Sequence, residues 1–274
     1  MGEIKWSNSA LTTLQGCGER FRRRYIEHEY TRPAPRMVRG TAVHRVAAQS
    51  YLRKMTTRTL PTVEEARDLA ATEFDAAWRA GVVLSEDEAA RGITAVRDAS
   101  KDFAVDLSGF HVAAVAPAVE PIGIERHIIV TPKDSDLVIH GTIDLIDRTP
   151  TGGESIRDLK TAEKSPPGNA ADTSQQFTLY GLIRMAEVGA LPEVFTLDTL
   201  VRTPVRAEKK HVVLHTTRDA ADVGALVNRI NLAVEAVKKG VFVPADPSDW
   251  RCSKTYCEFF QTCPYTRRSD RPAC

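Results

Sequence analysis

The sequence contains no apolar run long enough to cross a membrane, and its first residues lack the apolar centre of a secretory signal peptide. An N-myristoylation motif would have Ser or Thr at the sixth position, where this chain has Trp6. The formal net charge is only +1, so neither sign dominates the chain as a whole. From these absences we expect a soluble, cytoplasmic protein without a membrane partner.

The small net charge conceals a segregation of charge along the chain. Residues 1–40 carry eight Lys or Arg against four Glu, and residues 250–274 carry five against two acids. The middle of the chain is therefore acidic, with a net charge of −6. A single surface cation is usually no more than solvated, but two basic ends that meet in the fold would favour phosphate binding.

The hydrophobic pattern predicts helices first and mainly strands afterwards. A hydrophobic content of 42% and a charged content of 27% are typical of a globular protein, and 274 residues are enough for one large domain. Within this single domain we expect a helical part over residues 1–118, a core over 119–240 and a cysteine-rich tail over 241–274.

Periodicity and capping signals place the individual elements. Helices are predicted from Ala10, from Gly40 to about Met55, from Thr62, from Ser85 towards Val105, over 172–187 and over 219–238. Strands are predicted over 123–130, in a hairpin around the Pro-Thr-Gly-Gly turn at 150–153, over Val194–Arg202 and over 211–216.

Acidic residues interrupt the two apolar strands of the predicted hairpin. Asp144 lies inside a run that otherwise has the composition of a buried strand. Asp158 and Lys160 lie two residues apart on the next strand, so they share one face. A carboxylate in such a strand is costly unless it is paired with a cation or holds a metal, so a buried ion pair is the alternative to a metal site.

Four other residues add candidates. His44 lies on the apolar face of its predicted helix, where a lone histidine is more often a core residue than a ligand. Glu125 lies in the strand before the hairpin, where it either faces the same site as the aspartates or pairs at an edge with a neighbour such as Arg126. Gln176 and Tyr180 lie one turn apart on one helix face.

Cysteine usage indicates a metal site in the tail. Cys252, Cys257 and Cys263 lie within twelve residues, and such close spacing in a reducing cytosol favours metal binding over disulfides. Four thiolates suit zinc or an iron–sulfur cluster, so the fourth would have to be Cys17 or Cys274. Taken alone, Cys17 is more typical of a small buried hydrophobic residue.

Four short motifs occur together in a characteristic order. They are GTAVH at 40–44, GTID at 141–144, DLK at 158–160 and QFTLY at 176–180. In this order and spacing they resemble the motifs of the PD-(D/E)XK nuclease superfamily, and more narrowly of its RecB-type exonuclease branch from phages and bacteria. The resemblance extends from Ser9 to Cys263, although the helical stretch between His44 and Glu125 carries none of the motifs.

The resemblance implies an α/β fold with a mixed central sheet flanked by helices, as in restriction endonucleases, and a helical N-terminal part. One cysteine after the first helix plus a C-terminal trio is similar to the members that bind a 4Fe-4S cluster, which would staple the two termini together. The implied ligands are Cys17, Cys252, Cys257 and Cys263, with Cys274 outside the cluster. Four residues separate the first two cysteines of the trio where the commonest family form has two, which keeps zinc as the less favoured alternative.

The resemblance also assigns roles to the candidate site residues. Ligands of a catalytic Mg²⁺ or Mn²⁺ would be His44, Glu125, Asp144, Asp158 and the carbonyl oxygen of Leu159. Lys160 would orient the attacking hydroxide or neutralise developing charge. Gln176 and Tyr180 match a motif that steadies the site and contacts DNA.

The implied activity is metal-dependent hydrolysis of DNA, by an exonuclease that prefers single-stranded or end-bearing substrates. The expected context is recombination, repair or phage DNA processing, with recombination or replication proteins as partners. One alternative is a CRISPR-adaptation RecB-like nuclease that trims spacer ends. Another is a catalytically idle DNA-binding module, which the presence of both Asp158 and Lys160 disfavours.

Overall fold

A computed structural model of the chain describes residues 4–132 and 137–266. The strands are β1 (Lys5–Trp6), β2 (Pro121–Val130), β3 (Val138–Arg148), β4 (Glu154–Ala162), β5 (Val194–Arg202) and β6 (Lys209–Thr216). They form one mixed sheet in the order β1-β3-β4-β5-β6, and β2 also pairs with β3. The predicted α/β fold with a mixed central sheet is confirmed.

Helices cover both faces of the sheet. They are α1 (Asn8–Gly16), α2 (Gly18–Phe21), α3 (Pro35–Thr57), α4 (Val63–Arg79), α5 (Glu86–Arg91), α6 (Ile93–Ala114), α7 (Gln175–Val188) and α8 (Ala220–Lys238). A core on one face joins α1, α7 and α8 to the sheet through residues such as Phe177 and Ile230. A second core on the opposite face joins α3, α4 and α6 to the sheet through residues such as Val43 and Leu107.

The N-terminal residues belong with the sheet and not with the helical layer. Strand β1 pairs in parallel with β3, which the sequence analysis did not predict because two residues carry too little pattern. Trp6, Leu11 and Phe21 then lie in the same core as the sheet residues Ile143 and Ile156. The helical layer that sits above the other face therefore begins only at α3.

Local start and stop signals explain most helix boundaries. Both predicted capping boxes form, at Thr62 with Glu65 and at Ser85 with Glu88. The prediction of one helix from Ser85 towards Val105 is wrong. Gly92 adopts a φ of 87° and separates α5 from α6. Helix α3 begins at Pro35, earlier than predicted, since proline is well suited to the first helical position.

The described helices also bear on the expectation about membranes. None of those within residues 4–132 and 137–266 is both long enough and apolar enough to cross a membrane.

Candidate active site

The candidate site lies where two strands of the sheet separate. The antiparallel ladder between β3 and β4 runs from Arg148 and Glu154 to its last pair, Leu145 with Arg157. The next residues on the two strands are Asp144 and Asp158, so both aspartates lie at the fork. Beyond the ladder, the Leu159 N–H donates to Asp144 Oδ2 at 3.0 Å. The fork thus orients the Asp144 carboxylate through a backbone donor that the ladder no longer uses.

Three side chains converge on one side of this fork. His44, Glu125 and Asp144 each present a ligand atom, and these atoms all lie within 4.8 Å of one another. His44 Nδ1 lies 3.4 Å from Asp144 Oδ2. This grouping comes from three separate elements, α3, β2 and β3, which explains why no local pattern could establish it. The imidazole and carboxylate oxygens are ligands suited to Mn²⁺ or Mg²⁺.

The backbone of Glu125 departs from regular strand geometry. It has a φ of 46°, although it lies inside β2 between two residues, Ile124 and Arg126, that pair regularly with Leu145 and Ile143. The facing strand is irregular as well, because Ile143 packs in one core and Leu145, two residues on, packs in the other. A left-handed conformation in a non-glycine residue is strained, and such strain is characteristic of functional sites.

Asp158 holds a different set of partners from Asp144. It is buried, and its Oδ2 accepts from the Lys160 Nζ at 2.6 Å. Its Oδ1 accepts from the Gln176 side-chain amide at 3.0 Å, and the same amide lies 2.6 Å from the Tyr180 hydroxyl. The Tyr180 hydroxyl in turn donates to the Thr142 carbonyl oxygen at 2.7 Å. A chain of hydrogen bonds therefore links β4 and α7 to β3 at the site.

The pKa shifts of the site residues are those expected of groups that bind a cation. Burial lowers the pKa of His44, against the opposing charge of Asp144, so the ring is neutral and able to ligate. Burial raises the pKa of Asp158 to about 6, with Lys160 acting against the rise and Asp144 adding to it. Burial and the charge of Asp144 also raise the pKa of Glu125. Three acids in one small space are costly without a compensating cation.

Each predicted residue of this site is therefore placed at the fork or beside it. The trio His44, Glu125 and Asp144 could hold a divalent metal. Asp158 is adjacent to the trio, but in the described conformation Lys160 and Gln176 bind its oxygens.

Sequence reasoning missed a buried ionic network behind the fork. Arg157 bonds to Asp147 at 2.8 Å and to Asp198 at 2.9 Å, and Asp198 also accepts from His211 Nε2 at 2.7 Å. The network joins β3, β4, β5 and β6 beside the fork. Arg157 and Asp198 even line the same small cavity as His44. The only sequence signal was a set of charged residues in apolar strands.

The cysteines meet at a second place, between the N-terminal helices and the tail. Cys17, Cys252, Cys257 and Cys263 all line one cavity of about 320 Å³. Cys17 Sγ accepts N–H groups from Arg20 at 3.5 Å and from Ala245 at 3.4 Å. Backbone N–H donors to sulfur are a feature of iron–sulfur ligation, and the cavity can take a group larger than one ion. Cys274 lies outside the described residues.

The predicted meeting of the two basic ends also occurs, as far as it is described. Arg20 pairs with Glu258 at 2.6 Å, and Arg24 pairs with the same carboxylate. Arg23 donates to the Thr262 hydroxyl at 2.8 Å. Three further basic residues of the tail, Arg267, Arg268 and Arg271, lie outside the described residues.

Comparison with solved structures finds proteins of similar fold. A protein of Eubacterium rectale assigned as an exonuclease superposes with a TM-score of 0.51 at 11% identity, covering 89% of this chain and 84% of its own. The solved protein SSO0001 matches with a TM-score of 0.45 at 15% identity, covering 97% of this chain and 89% of its own. A search of curated proteins finds no match by sequence.

The mixed sheet between helical layers, with acids and a lysine at a strand fork, matches the arrangement that the sequence resemblance predicts for a nuclease. The sequence model of the PD-(D/E)XK nuclease superfamily matches residues 5–264. The chain belongs to the PD-(D/E)XK nuclease superfamily. Nucleases of this superfamily use divalent metals, and the trio at the fork is the acidic group in the described residues that fits one.

Proposed function

We propose that the protein is a metal-dependent deoxyribonuclease that acts on single-stranded DNA or on DNA with free ends. One observation carries the proposal: His44, Glu125 and Asp144 converge within 4.8 Å directly beside the pair formed by Asp158 and Lys160. Metal ligands and a lysine at one fork are the groups that phosphodiester hydrolysis needs. The basic segments that meet near the cysteines supply charge that favours a phosphate backbone.

Each side chain of the site has its own role in the proposed hydrolysis. His44, Glu125 and Asp144 would hold Mg²⁺ or Mn²⁺, with Asp158 and the Leu159 carbonyl completing the set. When bound, the cation supplies Lewis acidity that lowers the pKa of a water and offsets negative charge on the phosphorus centre. Lys160, fixed by Asp158 at 2.6 Å, directs its ammonium group toward that charge or orients the attacking oxygen. Gln176 and Tyr180 hold the Asp158 carboxylate in place.

We also propose that Cys17, Cys252, Cys257 and Cys263 bind one 4Fe-4S cluster with a structural role. All four cysteines line one cavity of about 320 Å³, and room for a group larger than one ion supports a cluster over a single zinc. Arginines that line the same cavity, among them Arg20 and Arg251, offset the negative charge of four thiolates.

A digestion of labelled DNA tests the proposed activity. Single strands and duplexes labelled at the 5′ or the 3′ end should be degraded by the full chain only when Mg²⁺ or Mn²⁺ is added. Progressive shortening from one end would identify an exonuclease and its polarity, while fragments from within a closed circle would identify an endonuclease. Absence of cleavage with either metal, by protein that carries its full iron content, would contradict the proposal. Cleavage of RNA in preference to DNA would contradict the assigned substrate.

A further inference from the structure

A groove beside the tail is lined by basic residues that the active site does not use. We name it the arginine groove, and it lies between the segment 20–37, the connection 82–88 and the tail segment 254–261. Its volume is about 640 Å³. The residues used below are Arg20, Arg24, Arg32, Arg36, Lys254 and Tyr256. The connection is held to the first segment by a hydrogen bond from the Val83 N–H to the Pro33 carbonyl oxygen at 3.1 Å.

The charges in the arginine groove are only partly neutralised. Arg20 and Arg24 share the Glu258 carboxylate. Arg32 and Arg36 are exposed, and neither forms an ion pair with any residue in 4–132 or 137–266. Two cations in a groove therefore face solvent without a carboxylate, which is the arrangement of a phosphate-binding surface.

Acids also line the groove, but they do not neutralise the positive charge of Arg32 and Arg36. Glu86 pairs with Lys254 at 3.2 Å, where both side chains are largely exposed. Glu88 accepts from the Ser85 backbone N–H as part of a helix cap. Each of these acids is thus engaged by its own partner and none approaches Arg32 or Arg36 within ion-pair distance.

Two exposed aromatic rings lie next to Arg36. The guanidinium carbon of Arg36 lies 5.6 Å from the centre of the Tyr256 ring. The Tyr256 ring meets Trp250 edge-on, with centroids 4.8 Å apart. Tyr256 is 43% exposed and Trp250 is 65% exposed, so the rings offer apolar surface to solvent. Interleaved cations and exposed aromatic rings are the pattern that binds phosphates and stacked bases of a single strand.

The groove is aligned with the active site along α3. Arg36, Gly40 and His44 follow one another at intervals of four residues, so they lie on one face of the helix. The rise from Arg36 to His44 is about 12 Å, or roughly two to four nucleotides of a strand. Between them, Gly40 approaches β4 so closely that a Cβ there would lie 3.4 Å from the Thr161 hydroxyl. Thr161 directly follows Lys160.

We propose that the arginine groove binds the single-stranded DNA that extends from the scissile phosphate. In this arrangement Arg32 and Arg36 contact phosphates and a base stacks on Tyr256. The inference rests on the proposed function of the fork as a DNA-cleaving site, and it adds the path and the strand form of the substrate.

Salt dependence of binding tests the phosphate contacts. Affinity of the full, cluster-loaded chain for a fluorescent 12-nucleotide oligothymidine would be measured at several salt concentrations without added divalent metal. The slope of log K against log salt should become less negative by about 1.4 in the double variant Arg32→Ala/Arg36→Ala, since each phosphate contact contributes about 0.7. Arg53→Ala, an exposed arginine at the other end of α3, is the matched control and should keep the parental slope. A parental slope in the double variant would overturn the proposal.

A second variant separates stacking from charge. Tyr256→Ala should weaken oligothymidine binding at least about fivefold while leaving the salt slope unchanged, and Tyr256→Phe should bind as the parent does, because stacking needs the ring and not the hydroxyl. Equal affinity of Tyr256→Ala and parent would overturn the stacking contact. If the variants lost duplex binding as strongly as single-strand binding, the assigned strand form would be wrong.

These outcomes can be told apart from a failure of the proposed function. If the protein binds oligothymidine with the expected slopes but cuts no DNA, the groove proposal stands and the proposed nuclease activity is wrong. If the protein cuts DNA but its groove variants bind as the parent does, the proposed activity stands and the groove proposal is wrong. Iron content and thermal melting of every variant confirm that folding is not the cause of the change.

Discussion

Asp144 connects the two halves of the candidate site. Its Oδ2 accepts the Leu159 N–H at 3.0 Å and lies 3.4 Å from His44 Nδ1. The side chain is thereby fixed by a backbone group whose position depends on the strand fork. A ligand that is fixed before the metal arrives loses little conformational entropy on binding.

Asp144→Asn should therefore keep the fold and lose metal-dependent cleavage. The amide can still accept the Leu159 N–H but provides a much weaker ligand, so we expect turnover to fall at least about a hundredfold and metal affinity to fall with it. Titration with Mn²⁺ followed by a DNA digestion measures both. Asp98→Asn, at an exposed surface pair, serves as control and should behave as the parent. Parental cleavage by Asp144→Asn would remove Asp144 from the site.

Lys160 is 47% exposed at its side chain, although its partner Asp158 is buried. Its ammonium group is anchored to Asp158 at 2.6 Å while much of the side chain faces solvent, so a substrate phosphate can approach it. Lys160→Ala should lower single-turnover cleavage at least about a hundredfold and leave DNA affinity within a few fold, because the lysine acts on charge that develops in the transition state. Quench-flow rates and anisotropy on the same oligonucleotide measure the two effects. A large loss of affinity with an unchanged rate would instead identify Lys160 as a phosphate anchor.

Asp158 gives a prediction about stability. Burial raises its pKa from 3.8 to about 6, so the folded state favours the protonated acid. That contribution to stability is full below pH 3.8 and is lost as the pH rises through about 6. In metal-free protein at pH 8, Asp158→Asn should therefore raise the free energy of unfolding by roughly 1–3 kcal/mol, a figure that already includes the opposing effect of Lys160 on the pKa of Asp158. Chemical denaturation at pH 8 and pH 4 measures it, and a gain at pH 4 equal to that at pH 8 would contradict this account.

At the scale of elements, the sequence predicted those features that are determined by residues close together along the chain. Capping boxes at Thr62 and Ser85, the hairpin turn and the helix that carries Gln176 are set by residues within a few positions, and all are confirmed. The motifs also placed Asp158 and Lys160 on one face, where they form an ion pair.

Features that depend on distant residues could not be predicted in this way. The left-handed backbone of Glu125 lies between two regularly paired residues of β2, and a glutamate carries no preference for that conformation, so nothing in the local sequence indicates it. The network around Arg157 joins four strands, so its partners Asp147, Asp198 and His211 become apparent only after the sheet is assembled.

A close backbone contact limits the position of the start of α2. The Gly18 N–H donates to the Val243 carbonyl oxygen at 2.7 Å, and a Cβ on Gly18 would lie 2.5 Å from backbone atoms of Phe242 and Val243. Gly18→Ala should therefore push the segment before the tail away from Cys17, and we expect lower iron content and a lower melting temperature. Gly224→Ala, in α8, is the matched control because nothing lies within 4 Å of its Cβ position, and it should be neutral or slightly stabilising. Equal iron content in both variants would contradict the expectation.

At the scale of the whole molecule, the proposed cluster would hold the N-terminal helices against the tail. Purified protein should be brown, and Cys17→Ser should lose the colour, lower the melting temperature and weaken DNA binding together, because the basic segments then separate. Cys274→Ser should change none of these. Absorbance near 400 nm, iron analysis and anisotropy measure the outcomes. A colourless protein with one zinc per chain would refute the cluster, and a brown Cys17→Ser variant would remove Cys17 from its ligands.

The arrangement of Cys17 opposite Cys252, Cys257 and Cys263 around one cavity has a consequence for biosynthesis. Cys17 lies more than 230 residues before the other three proposed ligands. A chain broken off anywhere between Cys17 and Cys263 would lack at least one of the four thiolates. If these cysteines bind the proposed cluster, its insertion would therefore require a chain translated past Cys263, and truncated products would remain without it.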